Sequence, residues 1–213
     1  MKRSISLTLL AFVFLLLQSC NKQKDHYIIE LTGYSLHVTP ITSSIIHLQT
    51  IPNGHEKLHK SLIVYDANQL SENVRHTFKE SADLFWLETS DLKITFEKPG
   101  GRISFLDKNG KQLLSEPHET WQRHFPVEFD GDKGFTIEQR FIFDDQEAIY
   151  GFGQHQNGIM NYRGKSLELL QHNKESVVPF FLSSKGYGIL WDNYSHTIFK
   201  DTDGHASLWS EMG

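Results

Sequence analysis

The densest chemistry in the sequence lies between Ala148 and Gly164, which read A-I-Y-G-F-G-Q-H-Q-N-G-I-M-N-Y-R-G. Gly151, Gly153 and Gly158 free the backbone for conformations that a Cβ hinders. Around them stand Tyr150, Gln154, His155, Gln156, Asn157, Asn161, Tyr162 and Arg163. Aromatic faces stack on the C–H faces of a sugar, and amides both donate to and accept from its hydroxyls. The set therefore suits carbohydrate. It equally suits tight turns that lock a sheet to another domain, and residue types alone leave both readings open. The G-F-G spacing is not a dinucleotide fingerprint, because Gln156 stands where the third glycine belongs and no helical pattern follows. His55-Glu56-Lys57-Leu58-His59 has the letters of a zinc motif that needs a helix to bring both imidazoles to one face. Here it follows the turn signal Pro52-Asn53-Gly54 and reads as a solvated loop. Asp144-Asp145 resemble a paired carboxylate site, but neighbours on an extended chain point to opposite faces, so they read as turn caps. The cluster from His118 to Phe125 mixes polar and aromatic groups without suggesting a mechanism.

The elements that must position these residues read as strands. Short runs rich in β-branched and aromatic residues recur between turn signals, and almost nothing has helical period. Tyr34–Thr39, Ser44–Thr50, Leu62–Tyr65, Leu84–Thr89, Leu92–Glu97 and Arg102–Asp107 are such runs, and Phe135–Phe143 is the longest alternating one. Lys108-Asn109-Gly110-Lys111 predicts a type I′ hairpin. Val178–Leu182 is expected to pair with Tyr187–Trp191 across Ser183–Gly186, and Ser207–Ser210 to begin one more strand. Trp191, Asp192 and Asn193 are expected to close a strand, and Trp86 and Trp121 to be core or half-buried. Many strands at short spacing with Gly, Pro and Asn turns predict an all-β antiparallel sandwich with one face of each sheet in the core.

The 213 residues carry a formal net charge of -5 with acidic and basic residues interspersed. No basic stripe supports nucleic-acid binding. Lys2 and Arg3 precede an apolar run from Leu9 to Leu17. Such a run spans roughly 14 Å as helix at about 1.5 Å per residue, half of a bilayer core of about 30 Å. It reads as the core of an export signal and not as a membrane span. Leu17-Gln18-Ser19-Cys20 then resembles the bacterial lipoprotein box, in which the cysteine is lipidated; Cys20 is the one cysteine of the chain. The expected organisation is a signal over 1–20, a tether over 21–27 and a sandwich over 28–213, lacking its last strand. The chain is expected at the periplasm or cell surface, touching the membrane through its lipid alone.

Ile149–Gln154, Asn161–Gly164 and Val178–Asn193 together resemble the N-terminal domain of glycoside hydrolase family 31, which includes α-glucosidases and α-xylosidases. The pattern Y-G-x-G-[EQ] followed by P-F-x-x-S-x-x-G-Y-G-x-x-x-D-N is specific in combination and weak in either half. Gln154-His155-Gln156, the Asn161–Gly164 run and the tail are most similar to bacterial α-xylosidases acting on xyloglucan fragments. The resemblance implies a galactose-mutarotase-like sandwich packed against a (β/α)8 barrel that follows it. It implies retaining hydrolysis in that barrel by two carboxyl groups about 5–5.5 Å apart. Neither barrel motif occurs in these 213 residues, so no catalytic residue is assigned and the chain alone is expected to be inactive. It further implies that one loop of the sandwich reaches the sugar site. By position this is Gln171–Ser176, with Asn173 as the foremost candidate to bond a substrate hydroxyl and Lys174 and Glu175 beside it. No cofactor or metal is implied; the partners are an α-linked oligosaccharide and the barrel of the same chain. The competing reading is a stand-alone carbohydrate-binding surface lipoprotein.

Overall fold

The computed structural model describes residues 25–55, 61–64, 74–98, 100–118, 123–202 and 204–212. They form sixteen strands and, among the described residues, no helix: β1 (Tyr27–Leu31), β2 (Tyr34–Pro40), β3 (Ile46–Pro52), β4 (Thr77–Glu80), β5 (Leu84–Glu88), β6 (Leu92–Glu97), β7 (Ile103–Asp107), β8 (Gln112–Ser115), β9 (His124–Phe129), β10 (Asp132–Phe141), β11 (Ile149–Gln154), β12 (Ser166–Leu169), β13 (Ser176–Ser183), β14 (Gly188–Leu190), β15 (Thr197–Thr202) and β16 (His205–Ser210). Sheet A has the order β1-β2-β3, sheet B β4-β5-β6-β7-β8, sheet C β12-β15-β16-β10-β9 and sheet D β11-β13-β14. Every pairing is antiparallel.

Alternation decides which face is inside. In β2, Tyr34, Leu36, Val38 and Pro40 are buried while the residues between them are half-exposed, as a period of two requires. Tyr34, Leu36 and Val38 meet Leu87, Ile94, Phe96 and Ile103 of sheet B in one hydrophobic cluster. A second cluster joins Phe141, Phe199 and Leu208 of sheet C to Ile149, Phe152 and Phe181 of sheet D. Phe105 of β7 packs against both. Each fully buried Leu or Phe contributes about 1.5–3 kcal/mol, so these clusters hold the sheets face to face.

The expected runs are largely strands, with two exceptions. Leu62, Ile63 and Val64 form bends where the run Leu62–Tyr65 predicts a strand, and Tyr65 lies outside the described residues. The Lys108–Lys111 turn is not type I′. Type I′ needs positive φ at both centres, yet only Gly110 has it, at 81°. The Asp107 carboxylate instead accepts from the N–H groups of Asn109 (2.8 Å) and Lys111 (2.9 Å). That acceptor favours an ordinary turn with a glycine bulge. Donation by these backbone groups, the Lys111 one first, lowers the Asp107 pKa.

Against Tyr34 and Ile103 of the first cluster lies a buried ion pair. Glu116 (1% exposed) accepts from Arg123 Nη2 at 2.6 Å, from Gln139 Nε2 at 2.6 Å and from the Ile103 N–H at 2.8 Å. Arg123 also donates to Tyr34 Oη at 2.9 Å and Gln139 Oε1 at 2.8 Å. Residues of sheets A, B and C thus meet at one carboxylate–guanidinium pair. Next to it, His124 Nε2 lies 2.9 Å from Thr50 Oγ1, which brings β9 beside β3. Burial, and then the Arg123 charge, hold His124 down to about 4. Removing one partner of a buried pair leaves an uncompensated charge, which costs about 3–5 kcal/mol. Glu116→Ala is therefore expected to destabilise the chain by about that amount in urea denaturation. Glu97→Ala, which breaks a more exposed pair with Arg102, is expected to cost about 1 kcal/mol or less. Equal losses would show that the buried pair does not join the sheets.

Candidate functional site

The glycine-rich segment folds as β11 and the turns after it. Strand β13 runs so close to β11 that a Cβ on Gly151 would sit 2.6 Å from the Phe180 carbonyl oxygen, and one on Gly153 2.0 Å from that of Ser176. Both glycines have positive φ, 115° and 96°, and the register shifts between them. Phe152 between them is itself left-handed, at φ 64°, a conformation that is rare for a bulky residue. The bulge turns its ring inward, 1% exposed, against Tyr162, Phe181 and Phe199 at centroid distances of 5.5, 5.5 and 4.6 Å.

Much of the sugar-suited set turns out to be internal scaffolding. Asn161 Oδ1 accepts from the N–H groups of Ile149 and Arg163 at 3.0 and 3.1 Å, and Tyr162 is buried. Arg163 donates to Asp201, to the Glu147 carbonyl at 2.9 Å and to the Asp144 carbonyl at 3.1 Å. Asp144 caps its turn through the Gln146 N–H at 3.2 Å, the role its sequence position suggests, while Asp145 is exposed. Glu147 and Glu116 were missed. Glu147 is 4% exposed and accepts from Ser183, from Tyr187 Oη at 2.5 Å and from the Asp144 N–H at 2.9 Å. Burial, and then the Glu147 carboxylate, push the Tyr187 phenol far up. An acid three residues after Asp144 in a turn was the one local signal for Glu147. Glu116 had none, since its partners come from distant strands.

The exposed polar groups gather at the other end of β11. Gln154, Gln156 and Asn157 are exposed, as are Gln171, His172, Asn173 and Lys174 of the loop between β12 and β13. The loop is closed by Gln171, whose amide donates to the Glu175 carbonyl and accepts from the Val177 N–H at 3.1 Å. The Glu175 N–H donates to the His172 carbonyl at 3.2 Å. Ser176 belongs to β13 and not to the loop. The candidates separate here: Asn173 and Lys174 face solvent, while the Glu175 carboxylate turns back to His155 Nδ1 at 3.5 Å. Leu170, Val177, Pro179 and Tyr194 line a shallow groove beside the loop. Amides and an ammonium on such a turn can bond hydroxyls, but this arrangement holds no nucleophile–acid pair.

The outward face of sheet D is apolar. Tyr150 pairs with Leu182 and Phe180 with Leu190, and with Val178 they share one side of the sheet, since alternate residues of a strand do. Tyr150, Val178, Leu182 and Leu190 are 38–50% exposed. Among the described residues no group of His, Cys, Asp and Glu could hold a metal. His55 packs edge-on to Phe135, and the rest of the 55–59 motif, Trp121 and Cys20 lie outside the described residues. Trp86 is half-buried, and Trp191 donates to Ser210 Oγ at 2.8 Å.

Comparison with known proteins places this geometry. The α-xylosidase of Saccharolobus solfataricus is 40% identical over 88 residues, 37% of this chain and 12% of the relative. A family 31 glucosidase of Pseudescherichia vulneris is 44% identical over 116 residues, 44% of this chain and 21% of the relative. The chain thus spans a small part of the length of these relatives. Among solved structures, a family 31 α-xylosidase of Xanthomonas citri superposes with a TM-score of 0.74 at 32% identity, over 84% of this chain and 20% of that one. An α-xylosidase from a soil metagenome, solved with xylose, shares the fold with a TM-score of 0.76 at 21% identity, over 89% of this chain and 30% of that one. The model of the glycosyl hydrolase 31 N-terminal galactose mutarotase-like domain matches residues 35–199. The chain belongs to that family.

Proposed function

We propose that this chain is the non-catalytic N-terminal domain of an exported retaining α-glycosidase, an α-xylosidase acting on xyloglucan oligosaccharides. The observation that carries the reading is the juxtaposition of the exposed apolar face of sheet D with the polar loop at the head of β13. An apolar face of this kind marks an interaction surface, and the relatives have most of their length outside the matched part. In this reading a (β/α)8 barrel of the same polypeptide covers Tyr150, Val178, Leu182 and Leu190. The loop then stands at the barrel's mouth, where Asn173 bonds a sugar hydroxyl and Lys174 extends the polar rim. The relatives named as α-xylosidases support the choice of sugar. Cys20 carries a lipid that keeps the enzyme at the membrane.

The full product of the gene that encodes this chain is expected to release xylose from aryl α-xylosides and xyloglucan oligosaccharides, and the 213 residues alone to release none. Hydrolysis by these residues alone, or a full product that cleaves no α-glycoside, would contradict the reading. Metabolic labelling with palmitate is expected to mark the protein in a bacterial host and to lose the mark in Cys20→Ser. Unchanged labelling in that variant would place the lipid elsewhere.

A further inference from the structure

We propose that His155 is a positioning residue for the loop from Gln171 to Glu175, holding it through Glu175 so that Asn173 and Lys174 stand at a fixed height above sheet D. The functional consequence rests on the reading that this loop meets the sugar; the tether itself rests on geometry. The His155 side chain is fully buried. Its Nε2 lies 2.9 Å from the Phe152 carbonyl oxygen. A carbonyl only accepts, so Nε2 carries the proton. That carbonyl is itself fixed, because Phe152 is held left-handed between Gly151 and Gly153 with its ring in the core. The Tyr162 ring packs edge-on to the imidazole at 6.4 Å.

The other nitrogen, Nδ1, is buried and has no hydrogen-bond partner, and Glu175 Oε2 faces it at 3.5 Å. A buried polar atom without a partner is costly. With a proton between Nδ1 and Oε2 the contact is attractive; with none, two lone pairs face each other. Glu175 is a member of the loop that the Gln171 amide closes on itself, so fixing Glu175 fixes the loop as a unit. The line of contact runs from the glycine bulge to a carbonyl, to an imidazole, to a carboxylate, to the turn that carries Asn173.

Hydrogen exchange of the amides from 171 to 177, read by mass spectrometry on the whole chain with β5 and β6 as reference, tests this. His155→Phe and Glu175→Ala are each expected to speed exchange in the loop at least fivefold without changing the reference strands. The double variant is expected to exchange no faster than the faster single one, because both remove the same contact. Glu175→Gln, whose amide can donate to Nδ1, is expected to stay within twofold of the parent chain. Loop exchange within twofold of the parent in Glu175→Ala would overturn the proposal. So would a Gln variant as fast as the Ala one, or a double variant whose effect is the product of the two singles. If His155→Phe does not fold, the contrast between Ala and Gln at 175 decides. An Asn173→Ala full-length enzyme with unchanged KM would sink the substrate reading while leaving the tether standing.

Discussion

The close approach of β13 to β11 is the constraint on which the candidate site depends. Backbone atoms of Phe180 and Ser176 occupy the space that Cβ atoms at Gly151 and Gly153 would need. Only glycine fits there, and two glycines in left-handed conformations twist the chain enough to send Phe152 into the core. The bulge has two outcomes at once. It anchors sheet D against sheet C through Phe152 and Phe199. It also delivers Gln154 and His155 to the place where β13 begins, directly below the loop that carries Asn173. A motif that suggests ligand binding by its composition thus also serves sheet packing, through Gly151, Phe152 and Gly153.

Polar residues inside the domain act in the same spirit. Arg163 gathers Asp201 and the carbonyls of Asp144 and Glu147, tying the turn after β11 to the end of β15. Glu147 gathers Ser183, Tyr187 and the Asp144 N–H. Glu116 and Arg123 do this for three sheets together. Buried charges of this kind add little net stability compared with apolar packing. Their value lies in direction: hydrogen bonds have geometry, whereas hydrophobic contacts do not.

How much could be read beforehand follows from the range of each interaction. Strands with alternation, such as β2 and β10, were legible because period two is a local property. The family motif was legible because its residues are close in sequence. The short strands β4 and β8 carried no such signal. The turn at Gly110 was misread because the Asp107 carboxylate competes for the same backbone N–H groups that an Asn-Gly turn leaves to solvent. Leu62–Val64 have the side-chain types of a strand but form bends. At the candidate site, the exposure of Asn173 and Lys174 agreed with a polar turn, but the inward aim of Glu175 depends on His155, twenty residues earlier in sequence, and no spacing rule reports it.

In the proposed reading, sheet D is covered by a barrel of the same polypeptide. Hydroxyl-radical footprinting of Tyr150, Val178, Leu182 and Leu190 tests it most directly, comparing these 213 residues with the full gene product. Strong protection of all four is expected in the full product, with Ile28 of β1 and Ile45 of the turn between β2 and β3 labelled alike in both. Equal labelling of the sheet D residues in the two proteins would contradict it.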